Sequence, residues 1–146
     1  MIKIYKTSDL LPVKIHDVEF KISPLTFEHR SAIQGILSEA AKNNDMAKMA
    51  EASFFAIKYA VKEIKGIESW DGSPFELEIK DKVLTDECVN DLLNLEIFPE
   101  LAKVSSALIN GVPSQILDEA GQPVKGIVLQ YANGAKRPNS KRTKKK

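Results

Sequence analysis

Apolar and polar residues alternate from Val13 to Ile22: Val13, Ile15, Val18, Phe20 and Ile22 are apolar, with Lys14, Glu19 and Lys21 between them. The alternation changes phase at His16-Asp17, which predicts two strands joined by a turn at that pair. Ile2–Lys6 carries a shorter alternation and is expected to be a strand. Thr7-Ser8-Asp9 is a turn cluster, and Ser23-Pro24-Leu25 closes the predicted sheet.

The period then changes from two to that of a helix. Thr26 is placed to cap a helix, with Glu28 in the first turn to favour its positive end. Phe27, Ile33, Ile36, Leu37 and Ala40 share one face of this helix, and Gly35 is expected to permit close packing. After a break at Lys42-Asn43-Asn44, Asp45 caps a second helix predicted to run from Met46 to Lys65. Met49, Ala50, Phe54, Ile57, Val61 and Ile64 form its main stripe, Phe55 and Tyr59 widen it to a second face, and Gly66 stops it.

Ile67–Trp70 and Phe75–Ile79 flank Asp71-Gly72-Ser73-Pro74, a predicted hairpin. Thr85 then caps a helix bearing Cys88, Val89, Leu92, Leu93 and Leu95. Pro99 opens another, where its missing N–H costs little, and that helix carries Leu101, Val104, Leu108 and Ile109. Gln115–Leu117 and Val124–Leu129 form either a second hairpin or an extended arm. The expected fold class is α+β, with small antiparallel hairpins packed against about four helices. Residues 1–131 form one domain, with 112–131 as its candidate arm, and 132–146 a disordered basic tail.

Charge sharpens this division. Residues 136–146 hold Lys136, Arg137, Lys141, Arg142, Lys144, Lys145 and Lys146 and no acid. Residues 1–135 hold fourteen Lys and Arg against twenty Asp and Glu, a balance of −6. An acidic body repels phosphate backbones, so any nucleic-acid binding is expected from the tail alone. The single cysteine, Cys88, has no partner for an internal disulfide, which fits a reducing compartment. No apolar run has the length of a membrane span, and the N-terminus lacks the apolar stretch of a signal peptide.

The residues form no recognised catalytic or metal constellation. His16 and His29 are the only histidines, with no CxxC or HxxxH spacing, and neither GxGxxG nor GxxxxGK[ST] occurs. Cys88 lies on an apolar stripe and is expected to be a buried, inert thiol. Asp86 and Glu87 complement a helix N-terminus, and Asp91 lies on a solvated face. Neither an enzyme nor a cofactor is expected. The candidate chemistry is protein binding through apolar residues: Phe55, Tyr59, Trp70, Phe75, Leu92, Leu95 and Leu101. Trp70 either pins its hairpin to the helices or presents a surface anchor, and the first role is preferred.

The order of these pieces resembles the tail assembly chaperones of long-tailed bacteriophages. The likeness rests on the N-terminal hairpin, Pro24-Leu25-Thr26-Phe27-Glu28 opening a helix, the Ala-rich second helix, and Gly66-Ile67-Glu68-Ser69-Trp70-Asp71-Gly72-Ser73-Pro74-Phe75. It continues through Leu84-Thr85-Asp86-Glu87-Cys88-Val89-Asn90-Asp91-Leu92-Leu93 and the helix Glu100–Asn110. The resemblance implies a non-catalytic protein of the host cytoplasm. Such a protein binds the tape measure protein, helps the tail tube protein polymerise around it, and leaves the finished tail. It implies no membrane partner, allows self-association, and implies a minor frameshifted longer form. Two other roles remain beside it: a structural tail or head-completion protein of the virion, and a small nucleic-acid-binding regulator acting through the basic tail.

Overall fold

The computed structural model describes residues 3–134. Strands β1 (Leu11–Ile15) and β2 (Val18–Ile22) form the predicted antiparallel hairpin, turning at His16-Asp17 with His16 at φ +53°. Leu11, Val13, Ile15, Phe20 and Ile22 point into the core, while Glu19 and Lys21 face out. Among the described residues the predicted strand before this hairpin is absent: Lys3–Lys6 is irregular, and Lys6 N–H is instead taken by the Asp9 side chain.

Helix α1 (Phe27–Asn43) is capped as expected, with Thr26 Oγ1 accepting from His29 N–H at 3.1 Å. Its buried residues are Ile33 and Ala40, whereas Phe27, at the first helical position, is 85% exposed. Gly35 faces open space, so close packing does not explain it. Helix α2 (Met46–Ala60) begins at Asp45, whose Oδ1 accepts from Ala47 N–H and Lys48 N–H.

Helix α2 ends five residues earlier than predicted. Val61–Lys65 is strand β3, which pairs with the outer side of β2 to extend the sheet to the order β3-β2-β1. The cause of the misreading is physical. Ile22 pairs with Val61 and Lys21 with Glu63, so Lys62 is an extra, bulged residue. The bulge resets the strand's phase, so that Val61 and Ile64, three residues apart, both turn inward. That spacing is the one a helix would show. The buried stripe of α2 is also different: Ala52, Ala56, Ile57 and Ala60 are buried, while Met49 is 48% exposed. The small alanines let α1 and α4 (Phe98–Ala107) approach α2 closely.

The hairpin around Asp71-Gly72 shrinks to a single bridge between Glu68 and Pro74. A second, unforeseen hairpin lies just after it, with β4 (Ile79–Lys80) paired to β5 (Val83–Leu84). Its turn residues Asp81 and Lys82 have φ of +54° and +71°, the handedness that two-residue hairpin turns require. Helix α3 (Asp86–Leu92) is capped by Thr85 and buries Cys88, Val89 and Leu92. Helix α4 carries Pro99 in its first turn, buries Leu101 and Val104, and passes into a 3₁₀ turn, Leu108–Asn110.

Residues 112–131 are not an extended arm. A turn with the bridge Leu117–Pro123 leads into β6 (Ile127–Val128), which pairs with β1 at the far edge of the sheet. Helix α5 (Gln130–Gly134) follows, so ordered structure passes the expected boundary at residue 132. Tyr131 is buried and donates its hydroxyl to the Pro113 carbonyl. Sheet and helices share one core, giving the α+β fold expected. The basic residues Lys136, Arg137, Lys141, Arg142, Lys144, Lys145 and Lys146 lie outside the described residues.

Candidate functional site

Helix α2 is apolar on more faces than the core can cover. One face packs against α1 and α4. Ala47, Ala50 and Phe54, on another, line an open groove of about 460 Å3 between α2 and the α3–α4 corner. Leu93, Phe98 and Ala102 form the opposite wall. Leu93 follows the last residue of α3 and is 46% exposed, and Phe98 opens α4. Glu51 is the one charged side chain lining the groove, and it pairs at 3.5 Å with Lys48. Met46, 74% exposed, and Met49 lie on the same N-terminal turns of α2. Flexible thioethers beside an apolar groove suit a partner surface that has to adapt to its ligand.

The structure divides the sequence-derived candidates. Leu92 and Leu101 are 1% and 0% exposed and belong to the core, so neither can touch a partner. Helical periodicity marks them as apolar without saying which side of the domain they face. Leu95 and Phe75 are half-buried and pack against the core's edge. Phe55 and Tyr59 stack with centroids 5.8 Å apart, and Tyr59 stacks in turn on His29 at 3.8 Å. These rings form a ladder along the side of α2, with Lys58 set 6.0 Å over the Phe55 ring. Lys58 also bridges to Asp86 at 2.5 Å, tying α2 to the start of α3.

Trp70 is 98% exposed, which removes its preferred role of pinning the hairpin. The bridge at Glu68–Pro74 places Trp70 in the turn itself, beyond the paired residues, while Phe75 and Leu77 make the contacts to the core. The turn is held by Ser69 N–H to the Ser73 carbonyl, Gly72 N–H to the Ser69 carbonyl, and Asp71, which accepts from both the N–H and hydroxyl of Ser73. Those last two bonds hold the Asp71 carboxyl below its usual pKa. An indole held in water on an ordered turn is suited to act as an interface anchor.

The sequence missed Ala47, Ala50, Phe54, Leu93, Phe98 and Ala102 as a set. A signal was present: α2 holds more apolar residues than one stripe needs, and that surplus forms the groove. Cys88 is buried as expected, and desolvation raises its thiol pKa although Glu78 N–H donates to it at 3.4 Å. Among the described residues, no three His, Cys, Asp or Glu side chains are grouped to hold a metal ion. No helix among them is long and apolar enough to cross a membrane. No protein-family model, curated protein or solved structure matches the chain.

Proposed function

We propose that this protein is a non-catalytic phage tail assembly chaperone that binds apolar helical segments of the tape measure protein. The observation that carries the proposal is the α2/α3–α4 groove, whose lining is apolar apart from Ser53 and Glu51. A groove between helices accepts the apolar face of an amphipathic helix, with anchors at i, i+3 and i+4. A tape measure protein is a long helical chain that aggregates when its apolar faces are bare. Covering it takes many copies of a small domain, and the −6 balance of residues 1–135 keeps such a coat soluble. The order of elements from the first hairpin to α4, which resembles the family, supports the same role. In this reading the protein acts in the host cytoplasm, where the tail tube protein assembles as the chaperone leaves.

The test is co-expression of the full chain with a tape measure fragment, followed by size exclusion. The fragment should become soluble and co-elute, and Phe54→Asp should abolish both effects while the variant keeps a native far-UV spectrum. A fragment that stays insoluble beside abundant soluble chaperone would refute the proposal. Mass spectrometry of purified particles separates it from a virion component, since a chaperone is absent from finished tails.

A further inference from the structure

A second cavity, of about 420 Å3, opens on the other end of α2, between the start of α1 and the β4–β5 turn. Three nitrogen-bearing residues line it, His29, Lys62 and Lys82, together with Thr7, Ser8 and Thr26. Asp81 is the one carboxylate in the lining. In a body with an acid excess, this cleft has the opposite local sign.

Lys62 is the residue that the β3 bulge leaves unpaired, and bulges of this kind re-aim a side chain. The bulge sends Lys62 into the cleft, where its Nζ donates to the Lys82 carbonyl at 2.6 Å. Two of its three N–H donors remain. Lys21, Lys48 and Lys58 each pair with a carboxylate, but among the described residues none lies within 4.0 Å of Lys62. Lys62 is half-buried, and burial pulls its ammonium below the ordinary lysine pKa. His29 is lowered as well, first by burial and with a contribution from the Lys62 charge that opposes Glu28. The Lys62 ammonium thus stands in a partly desolvated space with no carboxylate paired to it among the described residues. The His29–Tyr59 stack fixes one wall, and the left-handed Asp81-Lys82 turn fixes the other.

We propose that this cleft binds a small oxyanion, a carboxylate or a phosphate group, through the Lys62 ammonium. Lys82 and the Thr26 and Ser8 hydroxyls supply further donors. A charge-assisted hydrogen bond to a half-buried ammonium is stronger than one at an exposed lysine. The site is independent of the groove and of the proposed chaperone role.

The experiment is an NMR titration of the isotope-labelled full chain with inorganic phosphate and, separately, with acetate, at constant ionic strength in chloride. Saturable shifts should appear at the amides of His29, Lys62, Lys82 and Val83. Saturation by phosphate alone identifies a phosphoryl group as the ligand, and saturation by acetate a carboxylate. Lys62→Met should weaken binding at least tenfold, Lys62→Arg should retain most of it, and Lys103→Met should change nothing. Shifts that rise linearly with both anions, or that saturate only at the basic residues beyond 135, would overturn the proposal in the wild-type protein alone. Undiminished saturation at the cleft in a folded Lys62→Met variant would overturn the role given to Lys62.

Discussion

Leu92 and Leu93 are neighbours in sequence and have opposite fates, so replacing each with alanine separates folding from binding. Leu92 is 1% exposed among the core residues of α3, and Leu93 is 46% exposed on the groove wall. Leu92→Ala removes a fully buried side chain and leaves a cavity, which costs about 2–5 kcal/mol. For a domain of this size, each kcal/mol lowers Tm by about 4 °C, so the melt should fall by roughly 8–20 °C. Leu93 has about half of its surface still in water. Its truncation forfeits at most half of a leucine's transfer free energy of about 1.5–3 kcal/mol, or ~1 kcal/mol, and creates no closed cavity. Its melt should fall by about 4 °C or less. Binding should show the reverse order. Leu93→Ala strips one wall of the groove and should weaken capture of a tape measure fragment at least tenfold, whereas Leu92→Ala, assayed well below its melt, should bind nearly as wild type. Circular dichroism melts and a pull-down on the same preparations give both quantities. Equal melts for the two variants would refute the burial argument, and full binding by Leu93→Ala would refute the groove.

Four further outcomes follow from single sites. Trp70→Ala should change stability by no more than about 0.5 kcal/mol, because the ring is 98% exposed, and a thermal melt checks this. Thr85→Ala loses the cap on Cys88 N–H and the bond to Glu78, and should cost about 1–2 kcal/mol in urea denaturation, with Thr85→Ser recovering most of it. Gly126→Ala places a Cβ 2.5 Å from the His16 ring at φ +85°, so it should destabilise by more than about 1 kcal/mol; adding His16→Ala should recover only the steric part. Burial holds His29 below its ordinary pKa of 6.5, so the unfolded chain binds more protons, and stability should rise with pH up to about that value; His29→Gln should flatten this slope in denaturation curves taken across the range.

The parts of the fold legible in the sequence are those fixed by local chemistry. Thr26, Asp45 and Thr85 each sit where a helix begins, because a side-chain oxygen at that position satisfies N–H groups the helix cannot. The β1–β2 hairpin was legible because one face is buried and the other wet, which imposes a period of two. The rest depends on what lies across the chain. The bulge at Lys62 disguises a strand as the last turns of a helix. The β4–β5 hairpin turns on Asp81-Lys82, a pair without glycine or asparagine, so it carries little local signal. Leu92 and Leu93, or Phe54 and Ile57, are equally apolar, and only the tertiary packing of α2, α3 and α4 decides which of each pair meets water. The groove was therefore visible as a surplus of apolar residues and invisible as a place.

Helix α2 joins these features into one rigid element. Its first half lines the groove through Ala47, Ala50 and Phe54, and Tyr59 near its end lines the cationic cleft. Between them Ala52, Ala56 and Ile57 are locked in the core. From Ala50 to Tyr59 the rise along the axis is about 14 Å, at ~1.5 Å per residue. No loop follows: Ala60 accepts from Ser23 N–H, and Val61 is already paired to Ile22 in the sheet. An occupant of the groove therefore meets a helix whose backbone is already ordered by α1, α4 and the sheet. It has to order only its own chain and a few side chains such as Met46, Met49 and Leu93. That lowers the entropic cost of association for each copy. The proposed role, coating a long and otherwise insoluble helix with many small domains, needs that economy, since each copy would contribute only one short groove.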